Sequence, residues 1–353
     1  MKAAIISLGS VSSKWTAEAM KKYFDTVEEI QIKNIEVSLG SEVKILYNGK
    51  SFDNFDCVLL KGSYKFVKIL SSIASALEGT CYMPLSADSF TIGHDKLLTH
   101  LKLQQRDIPM PATYISSTPL AAKTLLEKVN YPIVFKFPNG TQGKGVMFAD
   151  SYSSALSLLD AMTALNQPVI IQEYIETDGC DIRAIVVGRK VVAAMKRKSS
   201  GSDKRSNMHA GGSGEPVELD FETKQIAIKA SESVNAEICG VDILLSDSGA
   251  KVIEVNLSPG LQGITEVTGI DVADEIAKYL YSQTKKRSDV GGYSRVLDDL
   301  KLSDDSNGVI ASVEIKDKRI VLPEIITKWS QLKKGDEVII TAEKGSIGIS
   351  KSK

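Results

Sequence analysis

No apolar run in the chain approaches the roughly 18 residues of a membrane span, so no spanning helix is expected. Cysteine pairs of the C-x-x-C kind are also missing: Cys57, Cys81, Cys180 and Cys239 lie far apart. Each sits beside or within an apolar or strand-like run, which argues against disulfides and zinc and for buried free thiols in a reducing cytoplasm. Histidine is scarce. His94, His100 and His209 have no metal-ligand spacing to Cys, Asp or Glu, and each reads as structural or solvated. No G-x-S-x-G element or Ser–His–Asp order is present, which disfavours acyl transfer through serine. No charge sign dominates either: 43 basic and 44 acidic residues leave a formal net charge of −1. No global field therefore draws the chain onto nucleic acid or an anionic membrane.

What is present is the balance of a globular protein, 353 residues with 43% hydrophobic and 25% charged, long enough for two to four domains. The opening Met1-Lys-Ala-Ala-Ile-Ile reads as a first buried strand, too short in its apolar run for a signal peptide. Short apolar runs alternate with amphipathic segments through residue 283, the pattern of an α/β protein. Lys2 to Ser7 and Cys57 to Leu60 are strands of a first unit that closes near Asp88. A helix begins around Asp95 and stops before Ile108-Pro109. A second unit holds the strand Ile133 to Phe137, a glycine loop and a helix around Ala155 to Leu165; a third runs from Val169 to about Gln283. Residues 285–307 mix charge, serine and the pair Gly291-Gly292, as a linker with some helix would. Val309 to Ile349 is strand-rich.

Three constellations carry chemistry. Lys136 lies inside the apolar strand Pro132 to Pro138, and a buried ammonium is costly unless it faces an anion, whether a ligand or a protein carboxylate. The strand leads into Asn139-Gly140-Thr141-Gln142-Gly143-Lys144-Gly145. Glycine allows positive φ and close backbone approach, so this loop is either a flexible hairpin or, behind a lysine strand, a phosphate clamp. The third is Gly240 to Asn256, a hairpin with a turn centred on Ser248. That register sets Asp242 directly opposite Glu254, with Asn256 on the face of Glu254. Two carboxylates and an amide oxygen on strands otherwise apolar are hard ligands for Mg²⁺ bridging nucleotide phosphates.

A second hairpin, Asp181 to Arg197, turns at Gly188-Arg189 and sets Asp181 opposite Lys196, so a plain cross-strand salt bridge is open to both. The basic stretch from Lys196 to His209 lacks aromatic stacking partners, which disfavours single-strand nucleic acid recognition. A solvated loop or a mobile arm that neutralises phosphates remains.

These residues resemble the ATP-grasp ligases, and within them the RimK-like glutamate ligases. The matching elements are Asp95-Lys96, Lys136 with Gly140 to Val146, Gln172-Glu-Tyr-Ile175, Gly179 to Arg183, Arg205-Ser-Asn207, Gly240 to Leu244 and Glu254 to Gly260. They stand in the family's order over residues 1 to about 283. The resemblance implies an ATP-grasp fold: an N-terminal α/β domain (1–90), a central lid subdomain (91–170) and a C-terminal catalytic α+β subdomain (171–284). A linker (285–308) and a small β-rich domain (309–353) follow. It implies that Lys96, Lys136 and the loop residues Gly140, Thr141, Gln142, Gly143 and Gly145 contact phosphates. It places Glu173 and Tyr174 at the adenine, Asp181 near the nucleoside, and Arg205, Ser206 and Asn207 near the phosphates. Asp242, Glu254 and Asn256 resemble a site for two Mg²⁺ or Mn²⁺ ions. Arg183 and Ser258 resemble contacts for the acyl phosphate or the incoming amino acid, with Arg183, Arg205 and Asn207 as the catalytic group.

The implied reaction is ATP-dependent amide formation through an acyl phosphate, with the glycine loop closing as a lid over that hydrolysable intermediate. L-Glutamate is the implied amine donor, and a protein C-terminus, pterin or deazaflavin the acceptor, in a cytoplasmic homo-oligomer. Family members of this kind commonly end near Gln283. Here Val313 to Ile325 and Leu332 to Ile340 resemble the swapped-hairpin AbrB domain, which implies dimerisation or substrate presentation rather than DNA binding, since the tail is not strongly basic. Rival readings are an ATP-sensing DNA-binding regulator and a dipeptide- or glutathione-type synthetase.

Overall fold

A computed structural model describes residues 1–52, 54–116, 118–137, 145–165, 170–198, 213–299, 314–316, 319–321, 338–343 and 346–351. Two units divide it, Met1–Ser288 and Asp289–Lys353.

The chain opens with β1 (Lys2–Ser7), an apolar strand buried on both faces, as the central strand of a parallel sheet must be. It is followed by α1 (Val11–Met20), whose first turn is capped by the Ser10 hydroxyl accepting from Ser13 N–H. The strand β2 (Thr26–Gln31) pairs parallel with β1 on one side, and β6 (Cys57–Leu60) on the other. Between them β3 (Ile35–Ser38), β4 (Lys44–Tyr47) and β5 (Lys50–Ser51) form a small antiparallel meander. Two helices, α2 (Val67–Leu77) and α3 (Ala87–Gly93), lead to α4 (Lys96–Gln104). Asp95 caps α4, its Oδ1 accepting from Leu97 N–H at 2.8 Å and Leu98 N–H at 3.0 Å.

The central part is an antiparallel sheet of order β7-β10-β8-β9, from β7 (Thr113–Ile115), β8 (Ile133–Lys136), β9 (Val146–Ala149) and β10 (Ile170–Glu173). Helices α5 (Pro119–Leu126) and α6 (Tyr152–Ala164) cover it, with a core of their own around Phe135, Leu126 and Leu159. The third part is a five-stranded antiparallel sheet, β13-β12-β11-β14-β15, from β11 (Cys180–Val187), β12 (Lys190–Lys198), β13 (Ser213–Pro216), β14 (Ile238–Ser246) and β15 (Gly249–Asn256). With it come α7 (Phe221–Ser233), α8 (Gln262–Thr268) and α9 (Val272–Asp299).

The boundaries differ from the expected ones for packing reasons. Ile6 and Leu60 share one core with Ile182, Val241 and Val255, so residues 1–90 are not separately cored; the central sheet is. The strand β10 pairs with β7 and β8, so the expected cut at residue 170 falls inside the central sheet. Helix α9 runs unbroken to Asp299, so the expected linker is helical that far; Gly291 and Gly292 each cost about 1 kcal/mol of helix propensity without ending it. In the second unit, β16 (Glu314–Lys316) pairs with β17 (Arg319–Val321), and β18 (Val338–Glu343) with β19 (Ser346–Lys351), both antiparallel. Among the described residues no helix is long and apolar enough to cross a membrane.

Candidate active site

The hairpin β14–β15 carries the acidic part of the site. Its turn is the two-residue Asp247–Ser248, with Ser246 opposite Gly249. That turn alone would set Asp242 opposite Ile253. A bulge leaves Ile253 unpaired between Val252 and Glu254, and Asp242 faces Glu254 after all. The expected pair stands, although the turn lies half a residue from where the sequence placed it. Asn256 is opposite Gly240, and its Nδ2 donates to Asp242 Oδ2 at 3.4 Å.

Asp242 is 4% exposed. Burial alone would raise its pKa, but two guanidinium groups overrule it and hold the carboxyl well below its usual range. Arg183 donates from Nε and Nη2 to Oδ1 and Oδ2 at 2.7 and 2.6 Å. Arg197 Nη2 lies 3.0 Å from Oδ2. Glu254 is more open, with Lys96 Nζ 3.8 Å from its Oε1. Among the described residues no cluster of three or more His, Cys, Asp and Glu gathers. The donor set is thus two carboxylates and an amide oxygen, which fits a hard cation such as Mg²⁺ and not zinc.

The basic part hangs on one amide. Lys136 Nζ donates to Gln172 Oε1 at 2.5 Å, and to no carboxylate among the described residues. Gln172, 2% exposed, donates from Nε2 to Thr113 Oγ1 at 2.8 Å and lies 3.1 Å from His100 Nε2. Burial lowers the His100 pKa, so the ring is neutral. Its Nδ1–H donates to Lys96 O at 2.5 Å, which leaves Nε2 to accept from Gln172. One buried glutamine therefore ties α4, β7 and β8 together and fixes Lys96 and Lys136 relative to each other. Burial also pushes the Lys136 ammonium down to about 8; Glu254 and Asp242 oppose this and Lys96 adds to it.

Glu173 and Tyr174 stand where β10 ends. Glu173 Oε2 accepts from Ala112 N–H at 3.1 Å and from Lys251 Nζ at 3.3 Å, linking the central sheet to β15. Tyr174 meets Phe148 of β9 edge-on, with ring centroids 5.9 Å apart. Gly145 closes the glycine loop at φ +78°, and a Cβ there would fall 2.1 Å from the Phe137 ring, so both backbone and space demand glycine. Gly140, Thr141, Gln142, Gly143, Arg205, Ser206 and Asn207 lie outside the described residues.

Asp181 faces Arg197, not Lys196, because Val192 bulges out of β12. Arg197 Nε donates to Asp181 Oδ1 at 2.7 Å and its Nη2 to Oδ2. The cross-strand salt bridge exists with a different partner, and both groups are more than nine-tenths buried. Lys196 reaches the exposed Glu215 instead. Arg183 is occupied by Asp242, and Ser258 Oγ accepts from Gly62 N–H at 3.1 Å. All four cysteines are free; Cys57, Cys81 and Cys239 are buried as expected, while Cys180 is only half-buried. Sequence reasoning missed Arg197, Thr113 and the linking role of Gln172; only the position of Gln172 inside a matching motif pointed to it.

Residues 93–280 match the family model described as the RimK-like ATP-grasp domain. A probable alpha-L-glutamate ligase of Pectobacterium carotovorum subsp. carotovorum is 34% identical over 293 residues, covering 81% of this chain and 97% of that protein. The ribosomal protein bS6–L-glutamate ligase of Shigella boydii is 36% identical over 253 residues, covering 70% of this chain and 84% of that protein. The solved structure of the ATP-grasp ligase PsnB, complexed with a precursor variant, Mg and ADP, aligns with a TM-score of 0.64 at 17% identity. It covers 80% of this chain and 98% of its own, and shows the fold. With the lysines, the facing carboxylates and the three-part architecture in place, this chain belongs to the RimK-like ATP-grasp family and is a carboxylate–amine ligase of the ATP-grasp kind.

Proposed function

We propose that the enzyme activates a carboxylate at the end of a protein or peptide and joins it to the amino group of L-glutamate. The observation that carries this reading is the facing pair Asp242–Glu254 with Lys96 and Lys136 beside it, Asp242 held by two arginines and Lys136 by Gln172. Names of relatives as glutamate ligases, one of them for bS6, support the donor and the protein acceptor.

In this reading Lys136, Lys96, the glycine loop (Gly140 to Gly145) and Arg205 to Asn207 meet the phosphates. Glu173 and Tyr174 flank the base. Asp242, Glu254 and Asn256 hold Mg²⁺, one or two ions, which neutralises charge on the transferred phosphoryl group. The acceptor carboxylate attacks the γ-phosphorus and ADP leaves. The donor amine then attacks the acyl carbon, loses a proton, and phosphate leaves. No side chain acts as nucleophile; positioning and charge neutralisation carry the rate.

Two expected roles change. Arg183 positions Asp242 and keeps it ionised, instead of holding substrate. Asp181 positions Arg197 for the same purpose, instead of meeting the nucleoside. The C-terminal hairpins serve dimerisation or acceptor presentation in this reading. A DNA-binding regulator draws no support from the relatives named above, each of which is named as a ligase. The test is mass spectrometry of a cell extract incubated with the enzyme, MgATP and labelled L-glutamate. Label on a protein C-terminus supports the reading; label only on low-mass cofactors or dipeptides overturns the acceptor class.

A further inference from the structure

Past Asn256 the chain continues as Leu257-Ser258-Pro259-Gly260, pinned from two sides by the N-terminal part. Gly62 N–H donates to Ser258 Oγ at 3.1 Å. Gly93 packs so closely on Leu257 that a Cβ would stand 2.7 Å from its Cγ. Each of these glycines adjoins a polar side chain left without a partner. His94, next to Gly93, has a buried Nε2 with no hydrogen bond. Lys61, next to Gly62, is 7% exposed, and no hydrogen bond or ion pair engages its ammonium among the described residues. Burial alone sets its electrostatics; no carboxylate contributes.

With no counter-charge beside it, such an ammonium gains from one that arrives. Its place says where from. Lys61 N–H donates to Ile6 O at 2.9 Å, so it stands at the carboxyl edge of the parallel strands β1 and β6, the edge at which open α/β sheets take ligands. Ser12 at the start of α1 closes the same edge, accepting from Leu261 N–H at 2.9 Å and donating to Gln262 Oε1 at 2.7 Å. Ser258 is two residues beyond Asn256, at most about 7 Å of extended chain.

We propose that Lys61 binds the carboxylate of the amino-acid donor. The inference rests on the ligase reading above. The acceptor's carboxylate is consumed at the phosphoryl site, whereas a donor such as glutamate keeps carboxylates that do not react and need a fixed cation. Arg183, the expected contact, is committed to Asp242. Among the buried cations described, Lys61 is the one with no carboxylate beside it.

The experiment titrates the full chain, loaded with MgADP, with labelled L-glutamate, L-glutamine and isoglutamine. Lys61→Met is expected to weaken glutamate by about tenfold or more, the loss of one charge-assisted contact, with MgADP affinity unchanged. Lys61→Arg is expected to retain most of it. Because no partner is lost, Lys61→Met is also expected to melt above the wild type, which a structural salt-bridge lysine would not do. Discrimination by the wild type against one of the two amides names the carboxylate held, and Lys61→Met should abolish it. Equal glutamate affinity in Lys61→Met and wild type overturns the proposal and leaves the ligase reading standing. Wild type that binds MgADP but none of the three donors overturns it too, while failure to bind MgADP at all overturns both.

Discussion

Asp181→Asn isolates the structural use of Asp181 from the nucleotide contact that the resemblance implied. Among the described residues Asp181, Arg197, Asp242 and Arg183 form one network, two carboxylates against two guanidinium groups, with Asp181, Arg197 and Asp242 at 6%, 8% and 5% side-chain exposure. The substitution keeps the shape and leaves the network one positive charge in excess. Removing one partner of a buried pair costs about 3–5 kcal/mol. For a unit of this size each kcal/mol lowers Tm by roughly 2–4 °C, so a drop of about 6–20 °C is expected in thermal unfolding of the nucleotide-free chain. Asp181→Asn/Arg197→Met restores neutrality, and the double variant should be more stable than the single one, a coupling read from the cycle. A fall below about 2 °C, together with weakened MgATP binding, would refute the reasoning and return Asp181 to the nucleotide.

Two further outcomes follow from the basic side. The Lys136 ammonium, lowered by burial to about 8, binds phosphate only when protonated, so MgATP affinity should hold below pH 8 and fall as pH rises through it. The dependence should vanish in Lys136→Gln, and a flat titration of the wild type from pH 7 to 9 would count against the assignment. Gly145→Ala meets both a positive φ and the Phe137 ring, costing about 1–3 kcal/mol of local strain. Nucleotide turnover should drop while the melting of the main core barely moves; full activity would show that the loop end is free to shift.

Much of the site was legible because its chemistry is written in strand alternation. Asp242, Glu254, Asn256 and Lys136 each interrupt an apolar run, and burial makes such interruptions meaningful. The bulges were not legible, since one extra residue leaves no local mark. At Ile253 the bulge offset a misplaced turn and the expected pairing survived; at Val192 nothing offset it, and Asp181 found Arg197. Gln172 was missed as a hub because a neutral amide satisfying a buried lysine is an outcome of tertiary packing. Strand β2, Thr-Val-Glu-Glu-Ile-Gln, went unread because only Ile30 is buried, and an edge strand needs no apolar run. Cores merge across the expected domain cuts: Leu60 and Val241 lie far apart in sequence and in one cluster.

The central claim is that the facing carboxylates hold the cation on which turnover depends. Among the described residues the ion pair of Glu254 is the long, half-open one with Lys96, worth about 0–1 kcal/mol, so Glu254→Gln leaves the fold intact. The direct measurement is Mg²⁺-dependent ADP release by this variant in the presence of acceptor and L-glutamate, alongside its melting curve. The account predicts a loss of about 10²-fold or more in kcat with Tm within about 3 °C of wild type. Near-normal, Mg²⁺-dependent turnover in Glu254→Gln would contradict it.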